Sequence, residues 1–198
     1  MEAVIIDSGG ANLASLQYAF ERLGAHTHVT SDLETIRDAP RVILPGVGAA
    51  ADAMRRLRSS GLATLLPQLR QPVLGICLGM QLLFQGSEEG SSTCLGILPD
   101  TVRRLSSAPG RPVPHMGWNQ LVALRADPLL EGIKGRDHAY FVHSYIAPVS
   151  AVTLAETQYG VSLSAVIRHG NFWGTQFHPE RSAATGARLL ANFLRLEV

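Results

Sequence analysis

Short apolar runs alternate with stretches of helical periodicity through the first half of the chain. Ala3–Ile6 is compact and largely β-branched and is followed by Asp7-Ser8-Gly9-Gly10, which predicts a buried strand ending in a turn. Leu13, Leu16, Phe20 and Leu23 then fall on one helix face, with Gly24 placed to end the helix. Residues 42–44 read as a second central strand, halted by Pro45-Gly46, and residues 73–76 as another. Helices are expected over 49–58, 62–69 and 78–84. Strands alternating with helices argue for a parallel sheet covered on both faces. The second half changes character, with strands expected at 101–105, 119–124, 140–145, 152–156, 163–168 and 172–176. Several of these should be antiparallel and joined by hairpins, His169-Gly170-Asn171 being a good turn signal. A helix over 183–196, with Leu189, Leu190, Phe193 and Leu194 on its apolar face, closes the chain. No repeat, low-complexity tract or linker interrupts the pattern. Residues 1–198 are therefore expected to form one α/β domain, with a central mixed, largely parallel sheet flanked by helices and antiparallel strands in the second half.

Composition narrows the classes of function. The 198 residues are 46% hydrophobic and 17% charged, enough to bury one substantial core. A net charge of +1 gives no strong pull toward nucleic acid or an anionic membrane. The densest basic cluster, Arg55, Arg56 and Arg58, lies in a helical stretch and reads as a solvated face. Two cysteines, Cys77 and Cys94, are too few for the framework of a secreted domain. No basic, apolar leader opens the chain, and no run approaches the roughly 20 apolar residues of a membrane helix. The cytoplasm is the expected compartment.

One segment carries a nucleophile. An apolar strand runs into Gly75-Ile76-Cys77-Leu78-Gly79 and then into a helix, the cysteine form of a nucleophile elbow. Side chains at positions 75 and 79 would collide with neighbouring backbone in so tight a turn. A cysteine at a helix N-terminus is favoured as thiolate, and the Leu78 N–H points where an oxyanion would form. A free cysteine is ordinarily a small buried hydrophobe, and Cys94 is read that way. Cys77, between two glycines at a strand end, is not.

A thiol nucleophile needs a base and a group to orient it. Of seven histidines, only His178 lies in a segment that supplies its own orienter, Gly174-Thr-Gln-Phe-His178-Pro-Glu180. Pro179 disfavours helical geometry at His178, so the tripeptide is expected to be extended, with His178 and Glu180 on one side. A surface His and Glu is the plainer reading of that tripeptide taken alone. Cys77, His178 and Glu180 together define a catalytic triad.

With these segments the chain resembles the class I, triad-type glutamine amidotransferases. The resemblance rests on Gly75-Ile-Cys77-Leu-Gly-Met-Gln81 and Gln176-Phe-His178-Pro-Glu180, and runs from the first strand to the last helix. Four further segments are similar to the branch that serves histidine biosynthesis: Asp7-Ser-Gly-Gly-Ala-Asn12-Leu13, Pro45-Gly-Val-Gly48, His115-Met-Gly-Trp118-Asn119 and Tyr140-Phe-Val-His143-Ser144-Tyr145. The resemblance implies hydrolysis of L-glutamine through a Cys77 thioester, with ammonia passed to a (β/α)₈-barrel cyclase in a heterodimer and no cofactor. It places the oxyanion hole at the N–H groups of Val47 and Leu78. Gly48, Gln81, Glu89, Ser144 and Tyr145 become substrate-binding positions. Gly46 and Gly48 permit the Val47 peptide to flip, so the isolated chain is expected to rest inactive until its partner docks. Trp118, Asn119, Tyr140 and Arg181 are interface candidates, although Trp118 would serve equally as a core plug. Arg181 stands where relatives more often carry Lys, and Gly10-Ala11 before Asn12 departs from the commoner Gly-x-Gly-Asn turn.

Three rival readings remain. A sister amidotransferase serving pyridoxal phosphate, anthranilate or guanylate synthesis would share the glutaminase chemistry. A non-catalytic module would usually have lost Cys77 or His178, and both are present. A dinucleotide site is disfavoured because Asp7-Ser-Gly-Gly lacks the G-x-G-x-x-G spacing. No histidine pair has metal-ligand spacing, so no metal is expected.

Overall fold

The computed structural model describes residues 2–9, 13–122 and 124–197. Its elements are β1 (Ala3–Ile6), α1 (Leu13–Glu21), β2 (Thr27–Thr30), α2 (Leu33–Asp38), β3 (Val42–Gly46), α3 (Ala50–Ser59), α4 (Leu62–Leu65), β4 (Val73–Cys77), α5 (Leu78–Gln81), β5 (Phe84–Ser87), β6 (Ser92–Thr93), β7 (Leu98–Arg104), β8 (His115–Gln120), β9 (His138–His143), β10 (Tyr145–Ile146), β11 (Thr153–Gln158), β12 (Ser162–His169), β13 (Phe172–Thr175) and α6 (Ala183–Phe193). The turn expected at Gly10-Ala11-Asn12 lies outside the described residues.

A seven-stranded sheet in the order β11-β12-β13-β4-β3-β1-β2 forms the spine. It is parallel from β13 to β2, and antiparallel where β11, β12 and β13 pair. Its central strands are buried on both faces, and the two-residue period sorts their side chains into two cores. Ile5, Ile43, Leu74 and Ile76 pack with Leu16 and Phe20 of α1 and Leu189, Leu190 and Phe193 of α6. Val4, Ile6, Val42, Leu44 and Val73 pack with Met54 and Leu57 of α3 and Leu62 of α4. Beside this spine stand a smaller sheet, β10-β7-β5-β6, and a two-stranded ribbon of β8 and β9. The single mixed α/β domain expected from the pattern is the fold observed.

Several boundaries move. The helix expected over 78–84 is one turn long, because Phe84 opens β5 and pairs with Leu98 of β7. An apolar run such as Leu82-Leu83-Phe84 satisfies either period, and its partner strand decides. The strand expected to stop before Pro45-Gly46 continues through both, paired with Ile76 and Cys77. The strand expected at 119–124 lies earlier, at His115–Gln120, paired antiparallel with His138–His143. The run 140–145 is split at Ser144, with Tyr145–Ile146 joining the other sheet. Nothing in the hydrophobic pattern announces β2, because Thr27-His28-Val29-Thr30 has no apolar run; it is an edge strand with no fully buried side chain.

Candidate active site

The elbow is built by close approach. Cys77 ends β4 at φ 53° and ψ −110°, a region non-glycine residues avoid. A Cβ on Gly79 would overlap the Leu44 carbonyl oxygen, and one on Gly75 would lie 2.7 Å from the Met80 nitrogen. Strands β3 and β4 can therefore press against α5 only with glycine at both places. Gly46 serves the same packing, since a Cβ there would stand 2.6 Å from the Gly79 nitrogen. It is Gly48, at φ +90°, that holds the left-handed conformation after Val47. With four residues in place of the seven expected, α5 aligns few peptide dipoles at Cys77.

His178 has extended backbone, with φ −94° and ψ 100°, but Pro179–Arg181 forms a 3₁₀ turn rather than the expected extended tripeptide. Proline suits the first position of such a turn. The turn brings the Glu180 Oε1 to 2.9 Å from the His178 Nδ1. The segment is tied down at its backbone: the His178 N–H donates to the Tyr140 carbonyl, and the Ser182 hydroxyl donates to the His178 carbonyl. The Tyr140 N–H donates in turn to the Ser182 Oγ. Burial alone would push the His178 pKa down. Hydrogen bonds with Cys77 and Glu180, and the negative charge on both, outweigh it and push the imidazole up to about 10. Glu180 Oε2 is buried and has no hydrogen-bond partner among the described residues.

A cavity of about 330 Å³ opens on the nucleophile, lined by Val47, Gly48, Cys77, Leu78, Gln81, Glu89, Val142, His143, Ser144, Tyr145 and His178. Every position expected to bind glutamine or its oxyanion is in that wall. Two of them are already engaged. Gln81 Nε2 donates to the Tyr145 carbonyl (2.8 Å) and to Gln176 Oε1 (2.9 Å), so it braces the wall instead of reaching freely into the cavity. Glu89 Oε2 accepts the Ala50 N–H at 2.8 Å, capping α3 in place of Ala49, which has no capping side chain. A second chamber of about 170 Å³ lies against the other side of the triad, lined by Leu16, Gly46, Val47, Ile76, Val142, His178, Glu180 and Arg181, among others.

The interface candidates divide by face. Trp118 is 53% exposed, so it does not plug the core; its ring meets the Tyr140 edge at 6.0 Å, and the Arg181 guanidinium lies 5.7 Å from the Tyr140 ring. Asn119 points to the opposite face of β8, where its amide bonds His115 and the Gln158 carbonyl, so its side chain does not belong to the exposed patch. Three residues to which the sequence alone assigns no role join the site. Gln176 Nε2 stands 3.9 Å from the Cys77 Sγ, while His143 and His115 form a buried pair with Nε2 and Nδ1 3.0 Å apart. For the two histidines, polar residues at inward positions of a strand were the available signal, but it speaks only once the β8–β9 register is known. Cys94 is buried, and its desolvated thiol is pushed up to about 11.

This geometry is that of an amide-hydrolysing thiol enzyme, and comparison with known proteins agrees. The family described as "Glutamine amidotransferase class-I" matches residues 4–196, and the chain belongs to that family. Its relatives include the "Imidazole glycerol phosphate synthase subunit HisH" of Xanthomonas campestris pv. campestris (strain 8004), 56% identical over 98% of both chains. The HisH subunit of Xylella fastidiosa (strain Temecula1) is 52% identical over 99% of this chain and 98% of its own. Among solved structures, a glutamine amidotransferase superposes with a TM-score of 0.76 at 20% identity, covering 98% of this chain and 97% of its own. The structure of PurLQS from Thermotoga maritima gives 0.70 at 19% identity, covering 97% of this chain and 96% of its own. At such identities these two structures speak for the fold alone. Among the described residues no helix is long and apolar enough to cross a membrane.

Proposed function

We propose that the chain is the glutaminase subunit of an imidazole glycerol phosphate synthase, hydrolysing glutamine to glutamate and ammonia for a cyclase partner. The observation that carries this reading is Cys77, held at φ 53° on the cavity wall beside the hydrogen-bonded His178–Glu180 pair. Cys77 attacks as thiolate at the side-chain carbonyl carbon of glutamine, and the carbonyl electron pair moves to oxygen. The N–H groups of Leu78 and Val47 stabilise that oxyanion. As the C–N bond breaks, the His178 imidazolium gives its proton to the departing nitrogen and ammonia leaves. Neutral His178 then takes a proton from water, whose oxygen attacks the thioester. The C–S bond breaks, glutamate departs and the ion pair is restored. Glu180 holds the Nδ1–H throughout and stabilises the imidazolium.

The cyclase is a (β/α)₈ barrel that forms a heterodimer with this chain in the cytoplasm. It docks over the exposed face carrying Trp118, Tyr140 and Arg181, and uses the ammonia to make imidazole glycerol phosphate and an aminoimidazole carboxamide ribotide. Aromatic and arginine side chains of this kind are enriched in interfaces. Docking favours the orientation of the Val47 peptide that completes the oxyanion hole. The test is glutaminase activity of the purified chain with and without the cyclase and its ligand. Activity should rise by roughly 10²–10³-fold on assembly, the value of one oxyanion donor. An isolated chain as fast as the complex would remove the gating, and full glutamine-dependent activity in Cys77→Ala would remove the triad.

A further inference from the structure

A line of hydrogen bonds runs from the glutamine cavity to strand β8, and its direction is fixed at both ends by backbone groups. At the cavity end, His143 Nδ1 lies 3.0 Å from the Tyr145 carbonyl oxygen, which only accepts, so Nδ1 carries the proton. At the far end, Asn119 Oδ1 accepts the Gln120 N–H at 2.8 Å and its Nδ2 donates to the Gln158 carbonyl at 2.8 Å, so the amide cannot be reversed. The same Nδ2 stands 3.2 Å from His115 Nε2, which must accept. His115 therefore donates through Nδ1 to His143 Nε2, 3.0 Å away. One arrangement satisfies every contact: both rings neutral, both protonated at Nδ1. A charged ring would set two N–H donors face to face. Burial drives both histidines toward the same neutral state. The His115 ring is also held in plane between Phe141 and Tyr159, with centroids 5.0 and 4.0 Å away and nearly parallel planes.

We propose that His143, His115 and Asn119 are positioning residues, a neutral one-way hydrogen-bond chain that ties the Tyr145 carbonyl in the cavity wall to β8. Trp118 stands on the opposite face of that strand, so the strand that meets a partner is the strand that holds the substrate wall. Gln81 grips the same carbonyl from the other side, at 2.8 Å. The inference rests on the proposed glutaminase reading for its consequence, but the tautomers do not depend on it.

Two measurements on the assembled heterodimer decide the matter. In ¹⁵N-histidine spectra at pH 7, His115 and His143 should both be neutral Nδ1–H tautomers. A proton on Nε2 of either ring, or a charged ring, would overturn the chain. His115→Phe keeps the stacking and removes the donor. It should raise KM for glutamine about fivefold to tenfold, the worth of one hydrogen bond, with a smaller change in kcat. His115→Asn, whose amide nitrogen falls near the place of Nδ1, should recover most of that loss. An unchanged KM in His115→Phe, or equal losses in both variants, would leave only a packing role and overturn the proposal. Synthesis driven by ammonium salt checks that the complex is intact. Failure of the glutaminase reading would show separately, as glutamine turnover that survives Cys77→Ala.

Discussion

Replacing Glu180 by Gln keeps the shape of the His178 partner and removes its charge. The imidazole pKa should then fall from about 10, because one of the two negative neighbours that outweigh burial is gone. Glutaminase kcat/KM should fall about 10²–10⁴-fold, read from pH–rate profiles of the complex. An unchanged profile would mean that Glu180 does not orient the base. Gly79→Ala tests a different part of the elbow. Its methyl group would overlap the Leu44 carbonyl, so β3 and α5 must separate, costing about 1–3 kcal/mol in urea unfolding. Both residues are legible in the sequence, since a glycine two places after a strand-end cysteine and a carboxylate two places after a histidine announce their chemistry locally. Gln176 is not, because its contact with Cys77 spans 99 positions of chain.

The β8–β9 ribbon shows how an element can carry two tasks on two faces. Met116, Trp118, Tyr140 and Val142 share one side through the register Met116↔Val142 and Trp118↔Tyr140, while His115, Asn119, Phe141 and His143 share the other. Trp118→Ala should weaken cyclase binding by about 2 kcal/mol, roughly 30-fold in Kd by titration. Thermal unfolding of the isolated chain should hardly change, because Trp118 is 53% exposed. An equal loss of stability would place Trp118 in the core after all. The ribbon is also harder to read from the sequence than the central strands. Strand β1 is buried on both faces and reads as a continuous apolar run, as does β4 apart from Gly75, whereas β8 mixes His, Gly, Trp and Asn and lies ahead of the strand its neighbours suggest. Residues 78–84 mislead for the opposite reason, being apolar enough for either period.

For the molecule as a whole, buried histidines set opposite pH limits. His115 and His143 are pushed down to about 4 and about 3 from 6.5, so the unfolded chain binds protons first as pH falls. Their contribution is complete above 6.5 and is lost progressively below it, through about 4 and then about 3. His178, raised to about 10, contributes fully below 6.5 and loses that contribution as pH rises through about 10. Denaturant midpoints across pH should therefore fall on both sides of neutrality, and His115→Phe should make the acid side shallower. An acid side of unchanged slope would contradict a neutral pair. The same kind of burial holds back the thiol that the chemistry does not use. Cys94, held up at about 11, stays protonated in ordinary buffers and makes a poor nucleophile. A glutamine-shaped alkylating reagent should thus mark each chain once, at Cys77, and the bound label counts how many active sites in a preparation are competent.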